Sequence, residues 1–214
     1  VTYCVISYDI KMLRDIIEKR IEAPLKAFAR VLVRRNISPT LLTLTGLGIN
    51  AVAAFLYFGG FILAGGVLIV FAGFFDMLDG AVARASEKAS GFGGFTDSVV
   101  DRYSDFLIFG GVLAYFARKG DLLMTLISAA TLCGAFLVSY VRARAELVIP
   151  KCAVGLMERP ERIIVLAAGS IFGFFHAAIW FLAVTTHLTA LHRIHFTCKA
   201  FKASHQQKSS QNLS

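Results

Sequence analysis

Apolar residues in this chain come in long runs broken by short polar or glycine-containing stretches, with the length of membrane-crossing helices rather than of strands. The runs lie at about 40–58, 61–84, 93–117, 121–144, 160–175 and 177–197. Gly59-Gly60 and Arg118-Lys119-Gly120 read as tight turns, and Gly173 through His176 as a third, apolar one. Ahead of the first run, residues 10–35 mix Lys11, Arg14, Lys19, Arg20, Lys26, Arg30, Arg34 and Arg35 with Ile, Leu, Phe and Val at helical spacing. This predicts an amphipathic helix on the membrane surface with its basic side towards anionic headgroups, although an ordinary solvated helix has the same pattern. Asn36-Ile37-Ser38-Pro39 ends it, with Ser38 placed to cap the next helix and Pro39 suited to its first turn. The expectation is an all-α integral membrane protein, six transmembrane helices preceded by an amphipathic surface helix. It divides into an N-terminal segment 1–38, a transmembrane domain 39–200 and a polar, disordered tail 201–214.

Composition supports the membrane reading. Hydrophobic residues make up 57% of the 214 and charged residues 17%, too few to cover a soluble domain of this length. The net charge of +8 could signal nucleic acid, but the basic residues sit between and beside apolar runs. Threading six spans from a cytoplasmic N-terminus leaves, of the 22 Lys and Arg, only Arg118 and Lys119 in a loop on the far side. That asymmetry predicts a multi-pass protein of the cytoplasmic membrane with a basic cytoplasmic face. Cys4, Cys133, Cys152 and Cys198 are scattered and form no CxxC pair, so neither a disulfide framework nor a zinc site is expected. The first apolar residues are too few to read as a cleavable leader.

Acidic residues then change the picture. Asp76 and Asp79 fall near the end of the second run, Asp97 and Asp101 near the start of the third. A carboxylate in a membrane helix costs roughly 2.5–3.5 kcal/mol on insertion scales, so four of them need partners. Spacings of three and four put each pair on one helix face, and two antiparallel neighbours joined by a short loop would bring the pairs together. Such an oxygen-rich set suits Mg²⁺ or Mn²⁺, while the lack of accompanying His or Cys argues against zinc or copper. The alternative is ion pairing with Arg84, Arg102 or another basic residue, and Asp105 extends the acidic face. Gly80 and Ala83, at helical spacing after Asp79, leave room for a close approach.

Asp76-Met-Leu-Asp79-Gly80-Ala-Val-Ala83-Arg84, then Gly93, Asp97 and Asp101 at fixed spacing, resembles the signature of the CDP-alcohol phosphatidyltransferase family, with every defining residue in place. The resemblance implies a homodimeric membrane enzyme that replaces the CMP of a CDP-linked lipid with an alcohol. By the same resemblance Asp76, Asp79, Asp97 and Asp101 would hold two divalent ions, Mg²⁺ or Mn²⁺. Asp101 would also act as general base, Gly80 and Ala83 would admit the cytidine nucleotide, and Arg84 would lie near its phosphates.

A basic cluster bears on the acceptor. Arg142 and Arg144 end the fourth run; Arg159 and Arg162 open the fifth around Pro160. Membrane anchoring explains single arginines, but four guanidiniums beside the aspartates exceed it, and arginine forks well onto phosphate oxygens. The runs Ala143–Glu146 and Glu158–Arg162 resemble the phosphatidylinositol-phosphate and archaetidylinositol-phosphate synthases of that family. This implies inositol 1-phosphate as acceptor, bound by Arg142, Arg144, Arg159 and Arg162 with Arg193 closing the pocket. Arg142 stands where actinobacterial relatives often have Lys. Glycerol 3-phosphate is an alternative acceptor, and a cation transporter an alternative of another class.

Overall fold

The computed structural model describes residues 27–35, 38–86, 91–152 and 154–211, with side chains to residue 203. All regular structure among these residues is helical. A short helix α1 over 27–34 is followed by α2 (Pro39–Gly59), α3 (Ile62–Ala85), α4 (Gly91–Lys119), α5 (Leu122–Ala145), α6 (Arg159–Ile171) and α7 (Phe175–Gln211). Of the expected surface helix, residues 10–26 lie outside the described residues.

Local signals set the helix ends. The Ser38 hydroxyl accepts from the Leu41 backbone N–H at 3.3 Å and Pro39 occupies the first turn of α2. Gly60 ends α2 at φ +89°, a left-handed conformation that glycine adopts without steric cost. Asp121 caps α5 by accepting from the Met124 N–H at 3.0 Å. Gly173 turns the chain between α6 and α7 at φ +82°. The helix α7 runs on to Gln211, so the disordered tail expected from residue 201 is helical over 201–211. The segment extends a helix already nucleated by packed residues before it.

Six helices form a closed circuit, in the order α2, α3, α6, α7, α5, α4 and back to α2. Tyr57, Ile69, Ile108, Phe109, Val112, Phe116, Leu166, Ile179 and Leu182 fill its interior. Two satellite clusters flank it. Ala29 of α1 joins Leu42, Leu78, Ala81 and Val82, and Ala145, Ile149 and Cys152 pack near Phe196. The main packing partner of both α3 and α4 is α2, which therefore lies between the two acid-bearing helices. The direct α3–α4 pairing expected from their adjacency in sequence is replaced by packing through α2.

The outer surface is apolar. Phe55, Phe61, Leu122 and Phe172 are each at least 65% exposed, an outward-facing side-chain set suited to lipid. The helices α2, α3 and α5 are long and apolar enough to cross a membrane. By contrast α6, at 13 residues, is about 20 Å long and the shortest of α2 to α7. Asp97, Asp101, Arg102 and Asp105 of α4 lie in its first half, at the site described below, whereas Arg118 and Lys119 lie at its other end.

Backbones of α2 and α4 touch at Gly111, where a Cβ would lie 2.5 Å from the Ala54 carbonyl oxygen and 2.9 Å from its Cα. Backbone cannot yield as a side chain tip can. Gly111→Val is expected to destabilise the fold by about 1–3 kcal/mol, read as a lowered thermal midpoint in detergent; an unchanged midpoint would contradict this packing.

Candidate active site

The site is built where the last turns of α3, the first half of α4 and the first turn of α6 meet over α2. Asp76 and Asp79 project from α3, three residues apart. Asp79 is buried, and its Oδ2 accepts from the Thr43 hydroxyl of α2 at 2.7 Å. One turn after Thr43, Gly46 makes room for Asp76: a Cβ there would lie 3.0 Å from Asp76 Oδ1. Asp97, Asp101 and Asp105 follow at four-residue spacing on α4. One guanidinium, that of Arg159, contacts both Asp76 and Asp101, and Asp79 and Asp97 lie one turn from them along α3 and α4, so the structure brings the four sequence-predicted aspartates together.

Their common centre is a guanidinium. Arg159 Nη1 lies 2.6 Å from both Asp76 Oδ2 and Asp101 Oδ1, and its Nε is 3.7 Å from Asp105 Oδ1. Arg102 pairs with Asp101 at 3.4 Å, and Arg162 with Asp105 at 2.6 Å. Among the described residues no trio of acidic, His or Cys side chains is gathered at metal-ligating geometry, because Arg159 stands between Asp76 and Asp101. Charge decides whether the residues fit divalent cations. Of the five carboxylates, Asp76, Asp101 and Asp105 pair with the guanidiniums of Arg102, Arg159 and Arg162. Asp79 and Asp97 make no ion pair with a described residue. Excess negative charge on hard oxygen donors in a largely desolvated site is the chemistry that Mg²⁺ or Mn²⁺ fits.

Beside Asp101 opens a cavity of about 450 Å³. Its lining includes Arg102, Arg142, Arg159, Arg162, Arg193 and Glu158. Four of the five arginines expected at the acceptor site therefore reach it. Arg144 does not: it is exposed, and two residues beyond Arg142 it points to the other side of α5. The four differ in how their donors are used. Arg142 pairs with Glu146 and Glu158, both at 3.2 Å, and is half-exposed. Arg193 is 1% exposed and donates through Nε to Val154 O, Nη1 to Val138 O and Nη2 to Glu158 Oε1, at 2.7–2.9 Å. Gly155, at φ +130°, lets the preceding loop approach it, since a Cβ would sit 3.0 Å from Arg193 Nε. Arg162, also 1% exposed, donates to Met157 O at 3.1 Å besides its Asp105 pair.

Near Asp79, a Cβ on Gly80 would meet Arg84 Nη1 at 3.4 Å, so the Arg84 guanidinium folds over the Gly80 surface. Thr43 and Gly46 carried no signal in the sequence that separated them from ordinary helix residues, whereas Glu158 opened the run Glu158–Arg162 without a role of its own. Arg102 and Asp105 stood out as charges, and the four-residue step from Asp97 through Asp101 is the signal that places Asp105 on the same face.

A match to the CDP-alcohol phosphatidyltransferase family spans residues 36–192, and the chain belongs to that family of membrane-embedded enzymes. It is 38% identical over 188 residues to the archaetidylinositol phosphate synthase of Methanothermobacter thermautotrophicus, covering 81% of this chain and 94% of that one. It is also 38% identical over 177 residues to the phosphatidylinositol phosphate synthase of Mycobacteroides abscessus, covering 78% of this chain and 80% of that one. The crystal structure of Mycobacterium tuberculosis phosphatidylinositol phosphate synthase with CDP-DAG bound superposes with a TM-score of 0.75 at 30% identity, covering 81% of this chain and 92% of that one. The same enzyme in complex with manganese and citrate gives 0.73 at 32% identity, covering 81% and 88%.

Lysine in place of Arg193 keeps the charge but cannot span Val138 O, Val154 O and Glu158 together. Arg193→Lys is expected to cost about 2 kcal/mol, seen as a lowered thermal midpoint; an unchanged midpoint would mean that these bonds carry no stability.

Proposed function

We propose that this chain transfers the phosphatidyl-type phosphate of a CDP-linked lipid, diacylglycerol- or archaeol-based, to inositol 1-phosphate and releases CMP. The observation that carries this reading is the arginine-lined cavity opening directly beside Asp101. A phosphorylated acceptor there would meet guanidiniums, while its attacking hydroxyl would lie near the aspartates. The relatives' names point the same way.

In this reading Asp76, Asp79, Asp97 and Asp101 hold two divalent cations, Mg²⁺ or Mn²⁺, with manganese supported by the complex of the mycobacterial enzyme. Bound there, such ions supply electrostatic stabilisation of the diphosphate and of departing CMP. Thr43 fixes Asp79, and Gly46 keeps space beside Asp76. Asp101 reaches both the aspartates and the cavity, which suits it to take the proton of the acceptor hydroxyl. The small residues Gly80 and Ala83 admit the nucleotide, and Arg84 lies where its phosphates would pass. Arg142 and Arg159 bind the acceptor phosphate. Arg162 and Arg193, whose donors are largely engaged within the protein, shape the wall. Arg144 falls outside this group.

Six membrane crossings with the site facing the cytoplasm, within a catalytic domain 39–200, complete the proposal. They are supported by the positive-inside distribution and by three helices that meet the length and apolarity of a span. A homodimer is part of the same reading, and cross-linking in native membranes tests it.

Purified protein in lipid, supplied with CDP-diacylglycerol or CDP-archaeol and a divalent cation, should release CMP with inositol 1-phosphate and little with glycerol 3-phosphate or free inositol. Equal turnover with all three would sink the acceptor assignment. Asp97→Asn should abolish turnover while the protein still inserts; retained turnover would remove the metal role. Arg159→Ala should raise the acceptor KM about tenfold or more, whereas Arg144→Ala should leave it unchanged.

A further inference from the structure

Asp105 has no part in the chemistry above, yet it is fully buried. A buried carboxylate is costly unless paired and hydrogen-bonded. One oxygen has such a partner: Oδ2 accepts from Arg162 Nη2 at 2.6 Å, and both side chains are 1% exposed. The other does not. Asp105 Oδ1 makes no hydrogen bond, and Arg159 Nε, likewise without one, lies 3.7 Å away. Arg159 and Arg162 are three residues apart on α6, so one carboxylate set between them addresses both. Arg162 is tied in turn to Met157 O in the loop that leads into α6. The Nε edge of Arg159 thus faces Asp105, while its Nη1 reaches Asp76 and Asp101.

We propose that Asp105 is a positioning residue: anchored by Arg162, it faces the Nε edge of Arg159 and aims the opposite edge at the aspartates and the acceptor cavity. Arginine has a long, rotamer-rich stem, and a planar fork is selective only when its orientation is fixed. Neutralising Arg162 alone would use one oxygen of Asp105; orienting Arg159 uses both. The proposal rests on the reading that Arg159 contacts the acceptor phosphate.

The test is steady-state CMP release by the full chain in lipid, with separate KM values for CDP-lipid and inositol 1-phosphate. Asp105→Asn alone strands the Arg162 charge and can prevent folding, so the paired variant Asp105→Asn/Arg162→Gln removes both charges together. The pair is expected to raise the acceptor KM about tenfold with the CDP-lipid KM within about twofold. Adding the pair to Arg159→Ala should raise the acceptor KM no further. A pair whose acceptor KM matches the parent overturns the positioning role while leaving the Arg159 assignment intact. A pair whose effect simply multiplies with that of Arg159→Ala overturns it too, because the defect then bypasses Arg159. If Arg159→Ala itself leaves the acceptor KM unchanged, the acceptor reading fails and this proposal falls with it.

Discussion

One guanidinium nitrogen, Arg159 Nη1, stands 2.6 Å from carboxylates on two different helices, Asp76 of α3 and Asp101 of α4. Like charges at such range repel strongly where water is scarce, and the effect grows as the local dielectric falls. Without a cation among them, the acids of α3 and α4 would push apart the helices that α2 holds on either side. Arg159 comes from the start of α6, so the contact that balances the charge also fixes where α6 enters the circuit. Removing one partner from such a network leaves an uncompensated charge in place, which typically costs about 3–5 kcal/mol. Fold and site therefore depend on the same ion pairs.

The arginines divide by what they have left to offer. A guanidinium carries five N–H donors in a fixed plane. Arg193 commits all three of its nitrogens to Val154, Val138 and Glu158, and so joins α7 to the end of α5 and to the loop before α6. Arg162 is held between Asp105 and Met157. Arg142, on the more open side, is 42% exposed and pairs with Glu146 and with the Glu158 oxygen that Arg193 also holds, so it keeps donors towards the cavity. Sequence position alone ranks these residues equally; the use of their donors separates ligand-facing groups from scaffolding.

Much of this was legible in the chain. Apolar runs marked the helices because a membrane-length helix needs little else to be recognised, and Ser38-Pro39, Gly60 and Gly173 marked turns through their backbone preferences. The aspartates were legible because buried charge is rare enough in such runs to demand a reason. Packing order was not. That α2 lies between α3 and α4 depends on which small residues meet across helices, as Gly111 meets Ala54 and Gly46 meets Asp76, and no periodicity within one helix encodes it. Thr43 was hidden for the same reason: its partner Asp79 is 36 residues away. Arg144 lies outside the cavity lining, because charge clustering in sequence ignores the rotation of α5 between neighbouring positions.

The arginine-lined cavity also draws on backbone electrostatics. Its wall includes the last turns of α5, from Val138 to Ala143, and the first turn of α6, at Arg159, Pro160 and Arg162. A helix C-terminus presents carbonyl groups and partial negative charge, an N-terminus the reverse. The α6 end therefore favours an anion and the α5 end opposes it. Arg142, in the last turn of α5, stands where that opposing end meets the cavity. Proline at the start of α6 forgoes an N–H that would have no intrahelical partner, and fixes the turn that carries Arg159. The positive character of the cavity is thus distributed over side chains and one helix end, and this lets Arg162 and Arg193 spend their donors on holding the wall while the cavity stays suited to a phosphate.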